Sequence, residues 1–343
     1  MFCCENCIGD RLLATQVFRI KSVRSGKCDF CGEDNVGLLE PEKLRDEFEF
    51  LISSLYRKND VGRRLSLCLK EDWDLFNHQS MDDALSQRLL AEILDDGQIV
   101  RKSFVSVVDD QQAPLEKWKQ FKDELKNQNR FFLKSRSEED KALLIDLLEH
   151  LRFKTADLTL GWYRARVNYN EAIPLDRMGA PPPALASHGR ANPAGIPYLY
   201  VASDIDTAIS EIRPHTGATV SVAEFLIDDA LDLIDLRNPK SAISPFLNDE
   251  EKVLNLSKNL IFLSELGREL TRPVLPHAAV TEYLPSQYLC ELIKHAGYHG
   301  VVYNSSVGNG MNLALFDQSK AQGIAVLEHY VSKVAISCEQ VIL

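Results

Sequence analysis

Long apolar runs are missing from this chain. No stretch of about 18 apolar residues occurs, so a membrane span is not expected. The first residues hold cysteines and charges where a secretory leader would need a hydrophobic core. Basic charge is scarce too: 39 Lys and Arg stand against 50 Asp and Glu, giving a formal charge of −11. Neither half of the chain is basic, so sequence-independent binding to nucleic acid has no large electrostatic drive and a nucleic-acid partner is not expected. The histidines at 188, 215, 277, 295 and 299 show no metal-ligand spacing, since Gly297 and Gly300 interrupt the helix that His295 and His299 would need. Gly308 and Gly310 lack the third glycine and following helix of a dinucleotide fingerprint, and Ser306 is not in a G-x-S-x-G elbow. These absences point to a cytoplasmic protein, in which cysteines serve as metal ligands or buried thiols more often than as disulfides.

At 343 residues the chain has room for more than one domain, and 45% apolar with 26% charged residues is the balance of a globular fold. Residues 1–40 read as a zinc-binding module. Cys4-x2-Cys7 is followed 20 residues later by Cys28-x2-Cys31, each pair forming a turn that presents two thiolates to one ion, with Gly32 suited to the second turn. Four thiolates close a tetrahedral Zn2+ site, which is structural rather than catalytic. Cys3 competes with Cys4, but only Cys4 has the x2 spacing. So small a module buries little core, and the metal would supply its folding energy.

Residues 41–155 read as a helical domain. Pro41 precedes Leu44, Phe48, Leu51 and Leu55 at helical spacing. Ser80 is placed to cap a helix carrying Leu85, Leu89 and Ile93, stopped by Gly97. Pro114 opens a third with Leu115, Trp118, Phe121 and Leu125, and Ser137 caps a fourth with Leu144, Leu147, Leu148 and Leu151. A packing or partner-binding bundle is the plain reading.

From residue 156 to 343 the pattern changes to short β-rich runs, single helices and Pro/Gly loops. Strands are predicted over Trp162–Val167, Tyr198–Ala202, Val220–Ile227, Leu231–Leu236, Gly300–Tyr303 and Leu313–Phe316, and helices over Asp204–Arg213 and Tyr283–His295. The order is not a regular βαβ alternation, so an α+β fold with a mixed sheet is expected.

Three segments of this region carry chemistry. Trp162-Tyr163-Arg164-Ala165-Arg166 places Arg164 and Arg166 on one face of a strand. Two inward guanidinium groups are costly unless an anion meets them, and a pyrophosphate fits their forks. Next comes a pre-shaped Pro/Gly loop, Gly179 to Pro197, with Gly189-Arg190-Ala191-Asn192-Pro193-Ala194-Gly195-Ile196-Pro197. It leads through Tyr200 into a helix with Ile205, Ala208, Ile209 and Ile212 on its buried stripe and Glu211 at the margin, where a carboxylate can enter a cleft. Finally, Gly300–Phe316 runs from a buried strand through Ser305, Ser306 and a glycine-bearing loop into Asn312-Leu313-Ala314-Leu315-Phe316.

Together these segments resemble the RES family, named for its Arg, Glu and Ser. The likeness covers most of 160–320. Arg190, Asn192, Gly195 and Pro197 match the family's Gly-Arg-x-Asn-x-x-Gly-x-Pro turn, with Tyr200 ten residues after the Arg and Glu211 eleven after the Tyr. Tyr163-Arg164 resembles the early arginine, and Ser305, with Ser306 in reserve, the serine. The helical segment resembles the HEPN-like extensions of some long RES proteins, but no Arg is followed four to six residues later by His, so the ribonuclease pair is missing.

The resemblance implies an ADP-ribosyltransferase-like fold and an NAD+-degrading toxin, usually neutralised by a helix-turn-helix antitoxin of the Xre type. It implies that Glu211 stabilises the ribose cation formed as the nicotinamide–ribose bond breaks. Arg164 and Arg190 hold phosphates, with Arg166, Asn192 and Ser306 as further substrate contacts. Tyr200 stacks on or orients the nicotinamide, and Ser305 positions Glu211 or the ribose. Water or phosphate is the simplest acceptor. Transfer to a protein or nucleic acid, an inactive RES domain serving a zinc-and-helix recognition module, and assembly into a homo-oligomer stay open.

Overall fold

A computed structural model describes the chain apart from residues 109, 135–136, 159–160, 170, 336–337, 339 and 341–343. Chain-order labels are used for the strands of its large sheet: β1 (Arg152–Lys154), β2 (Trp162–Val167), β3 (Leu199–Ala202), β4 (Thr219–Ile227), β5 (Asp232–Asp235), β6 (Gly300–Asn304), β7 (Met311–Leu315) and β8 (Ala321–Tyr330). Their spatial order is β8-β4-β2-β3-β7-β6-β5-β1. Every neighbouring pair is antiparallel except β5 and β6, which run parallel. The fold is therefore α+β with a mixed sheet, as expected.

Six of the eight strands coincide with the predicted runs to within two residues at each end. The other two have physical reasons for being missed. β1 is three residues long. β8 is an edge strand that leaves most of its side chains half-buried or exposed, and a register shift between Gly323 and Ala325 breaks its alternation.

Alternation gives the sheet two apolar faces. Trp162, Leu199, Val201, Ala223, Phe225, Leu313 and Leu315 share one cluster. Ala165, Ala202, Val220 and Val222 lie in the other, with Ile205, Ala208 and Ile209 of the helix Ile205–Glu211, and Ile212 just after it, packed there. Asp204 starts that helix by accepting a hydrogen bond from the Thr207 N–H at 2.7 Å, a cap worth about 1 kcal/mol. Arg213, in the left-handed region at φ 47°, follows its end. Both sheet faces are thus covered, and Glu211 is placed at the last turn of a short helix held by its apolar stripe.

The chain forms two compact units that interleave in sequence. The first comprises residues 1–120 and 238–265, the second residues 121–237 and 266–343. The segment that links parallel strands β5 and β6 thus lends part of itself to the first unit, including most of the 22-residue helix Glu250–Thr271. Within the first unit Leu44, Phe48, Leu51 and Leu55 are buried as the spacing predicts. The helix Asp83–Leu94 is capped by Asp82, not Ser80, because the Asp82 carboxylate is the acceptor placed to meet the Leu85 N–H at 2.8 Å. It ends at Asp95, in the left-handed region at φ 48°, ahead of Gly97. Ser137 does cap Glu138–Glu149, in a box with Asp140. The stretch 41–155 is not wholly helical: Tyr56–Arg64 pairs antiparallel with Ser103–Ser106. None of the described helices is long and apolar enough to cross a membrane.

Candidate functional site

On the side of β2 and β3 that carries the Ile205–Glu211 helix, the second unit opens into a cleft of about 380 Å3. That is within the range of roughly 300–1,000 Å3 usual for small-molecule sites. Arg164, Arg190, Tyr200 and Glu211 line it, together with Tyr163, His188, Tyr283, Tyr303 and Asn312. Residues spread over about 150 positions of sequence thus meet because β2, β3, β6 and β7 bring their ends to one place.

Arg164 is half-buried on β2. One of its Nη atoms donates to the Tyr200 carbonyl at 3.0 Å, and its buried Nε has no partner among the described residues. Loss of hydration and the neighbouring Arg166 charge pull its pKa down to about 10. A desolvated cation with an unused donor is a costly arrangement that an incoming anion relieves.

Arg190 is positioned by the loop before β3. Gly195 takes a left-handed turn at φ 86°, and Gly189 packs so closely that a side-chain carbon there would meet Asn192 Oδ1 at 2.4 Å. The Asn192 amide nitrogen donates to the carbonyls of Ser187, Pro193 and Ile196 at 2.9–3.0 Å. Its Oδ1 accepts from the Tyr200 hydroxyl at 2.7 Å. From the helix Leu284–His295, Ser286 donates to the Arg190 carbonyl at 2.6 Å and Gln287 to the Gly189 carbonyl at 2.8 Å. So braced, the Arg190 guanidinium lies over the Tyr283 ring, 5.3 Å from its centroid, and donates to Ser306 Oγ at 3.2 Å and to the Arg272 carbonyl at 2.6 Å.

Glu211 is held by the loop after β6 and by β7. Ser305 Oγ donates to its Oε1 at 2.7 Å, and Asn312 Nδ2 donates to the same oxygen at 2.6 Å. Ser305 is aimed by its own loop, since Oγ accepts from the N–H groups of Val307 at 3.1 Å and Gly308 at 2.9 Å, leaving its proton for the carboxylate. The glycine pair has a steric purpose. A side-chain carbon at Gly310 would meet Asp204 Oδ2 at 2.1 Å, and one at Gly308 would meet Thr207 Oγ1 at 2.9 Å. The loop therefore sits directly on the start of the helix that ends in Glu211.

The predicted residues thus divide. Arg164, Arg190, Tyr200 and Glu211 share the cleft, with Ser305 bonded to Glu211 and Ser306 to Arg190. Arg166 does not reach it: its guanidinium donates to the Arg177 carbonyl at 2.6 Å and lines a neighbouring groove. Asn192 is buried and its amide is fully committed to the loop, so it shapes the site and does not line it. The Tyr200 hydroxyl, bonded to Asn192 and to the Ala191 N–H, is committed likewise, and burial pushes its pKa well above the usual range. Sequence reasoning did not single out Tyr163, Tyr283, Tyr303 or Asn312. Tyr163, beside Arg164, and Asn312, ahead of the apolar run 313–316, stood in the quoted segments without being given a role.

In the first unit, Cys4, Cys7, Cys28 and Cys31 are all buried, with their sulfurs within 4.8 Å of one another. Cys4 lies 3.4 Å from Cys31 and 3.9 Å from Cys7, and Cys7 lies 3.3 Å from Cys28. The two x2 turns close alike: Gly9 and Gly32, one residue or two after each pair, both adopt φ 79°. Cys3 stays outside the group, its thiol directed at the Leu39 carbonyl at 3.5 Å. The crowded sulfurs disturb one another: hydrogen bonding to Cys28 leads the effects that hold the Cys4 thiol up at about 12, while its bonds to Cys4 and Cys7 draw Cys28 well down. Such a set can hold a metal ion.

Residues 161–335, just over half of the chain, match the family model described as the RES domain. The chain belongs to the RES domain family. Among solved structures it is similar to a chain from the crystal structure of the M. tuberculosis MbcT–MbcA toxin–antitoxin complex. That similarity has 12% identity and a TM-score of 0.35, over 55% of this chain and 93% of that one. No curated protein matches the chain.

Proposed function

We propose that the cleft binds NAD+ and cleaves its nicotinamide–ribose bond, and that the protein is a toxin restrained by an antitoxin of the Xre type. The observation that carries this reading is the fixed Glu211 carboxylate facing the same cleft as Arg164 and Arg190. Departure of nicotinamide takes the bonding pair with it and leaves positive charge on the ribose. A carboxylate hydrogen-bonded to the ribose hydroxyl stabilises that charge most in the transition state, where it is greatest. Arg164, with its unused Nε, and Arg190 hold the pyrophosphate, and the tyrosines supply faces for the flat rings. Water then adds to the ribose carbon and releases a proton, giving ADP-ribose; inorganic phosphate in its place gives a phosphorylated ADP-ribose.

The test is purified full-length protein with labelled NAD+, with and without phosphate. Nicotinamide and free ADP-ribose are expected, or phosphorylated ADP-ribose when phosphate is present. Label on protein or nucleic acid would instead favour transfer, and intact NAD+ would overturn the reading.

The cysteine set suits a structural zinc ion. Four sulfurs each about 2.3 Å from one tetrahedral ion stand about 3.8 Å apart; three of the six spacings here are 3.3, 3.4 and 3.9 Å, and all lie within 4.8 Å. With all four positions filled by thiolates, the ion would tie two turns together and leave no site for substrate. Elemental analysis should find about one zinc per chain.

A further inference from the structure

We infer that Asn312 is a positioning residue for Glu211 and that Oε2, not Oε1, is the oxygen that meets the substrate. This rests on the NAD+ reading above and deepens it. Glu211 stands at the end of a short helix, and its side chain has several rotatable bonds, so it needs outside restraint to present one oxygen to a ligand. Two donors supply it, and both converge on Oε1: Ser305 at 2.7 Å and Asn312 at 2.6 Å. Oε2 has no partner among the described residues.

The two donors differ in how they are anchored. Ser305 belongs to a loop, held by the N–H groups of Val307 and Gly308. Asn312 is on β7, paired with Ala202 of β3 and Tyr303 of β6, and is buried. A buried amide on a central strand is a stiff reference point, whereas a serine on a loop aims a proton without fixing the distance as firmly. Removing Asn312 should therefore lower turnover and leave ground-state binding, through the arginines, nearly unchanged.

The experiment uses the full chain and NAD+ consumption. Asn312→Ala should lower kcat by about 10- to 100-fold with KM changed by less than about threefold, since one donor to a catalytic charge is lost. Asn312→Asp keeps the shape but sets a second carboxylate against Oε1. The acid limb of its kcat profile should move up by about one pH unit or more, because two adjacent carboxylates resist ionising together. A merely structural residue would lower the amount of active protein without moving that limb.

Folding is covered by a further variant. In Glu211→Gln/Asn312→Asp the amide and carboxylate exchange places and the hydrogen bond can re-form. The pair should recover thermal stability or soluble yield lost in Asn312→Asp, though not activity. Unmoved acid limb and wild-type kcat in Asn312→Asp, or additive stability effects in the double variant, would overturn the inference about Asn312. Wild-type protein that leaves NAD+ intact would instead remove the reading on which it rests.

Discussion

The cysteine cluster and the cleft are sites of opposite construction, one in each compact unit. The cluster is made from two short turns. Its four thiols are buried and converge within 4.8 Å of one another, a spacing suited to a single ion. The cleft is made from strand ends and a helix end, and it keeps unused capacity: among the described residues, neither the buried Arg164 Nε nor the second Glu211 oxygen has a partner. A site whose polar groups are all satisfied internally stabilises structure. A site that holds charged groups in fixed positions with valence to spare is poised for a substrate.

Substitutions can break this contrast. The largest effect is expected at Glu211: Glu211→Gln keeps the Asn312 and Ser305 contacts sterically but removes the charge, and NAD+ cleavage should fall by about 10^3-fold or more with an unchanged melting temperature. Equal turnover in that variant would show that the carboxylate is not the charge-stabilising group. Cys28→Ser, or a strong chelator, should cost the first unit its metal and several kcal/mol of stability. Zinc content and protease resistance of residues 1–120 check it, and a variant that keeps both would mean the thiols are only a buried cluster.

Smaller effects sharpen the picture of the cleft. Gly310→Ala should force the loop off Asp204, costing about 1–3 kcal/mol and lowering turnover through Ser305, as thermal melts and kcat would report. Arg164→Lys should mainly weaken substrate binding, by about tenfold in KM, because an ammonium cannot reproduce the guanidinium fork. Arg166→Ala should change KM by less than about threefold, since Arg166 is engaged with the Arg177 carbonyl outside the cleft. A larger loss would extend the phosphate site into the neighbouring groove.

Much of this was legible before the fold. Short β-rich runs located β2 to β7, because central strands covered on both faces are apolar along most of their length. β8 escaped because an edge strand with a bulge carries no such pattern. Helical spacing located the stripe of Ile205, Ala208 and Ile209, and hence the side of the helix on which Glu211 lies. The first-unit strands Tyr56–Arg64 and Ser103–Ser106 were not legible: the first is polar and largely exposed, with no alternation to mark it.

The sequence by itself determined what is local: the two Cys-x2-Cys turns, the Gly189–Pro197 loop that presents Arg190, and the helix ending in Glu211. Each depends on neighbours within a few residues, so spacing suffices. Tertiary structure decided what depends on distant partners. It assigned Ser305 to Glu211 and Ser306 to Arg190, turned Arg166 out of the cleft, made Asn192 a brace, and placed Asn312 against the carboxylate from another strand. Hydrogen bonds act over about 3 Å, and only the strand order of the sheet sets which side chains, 100 residues apart in the chain, come that close.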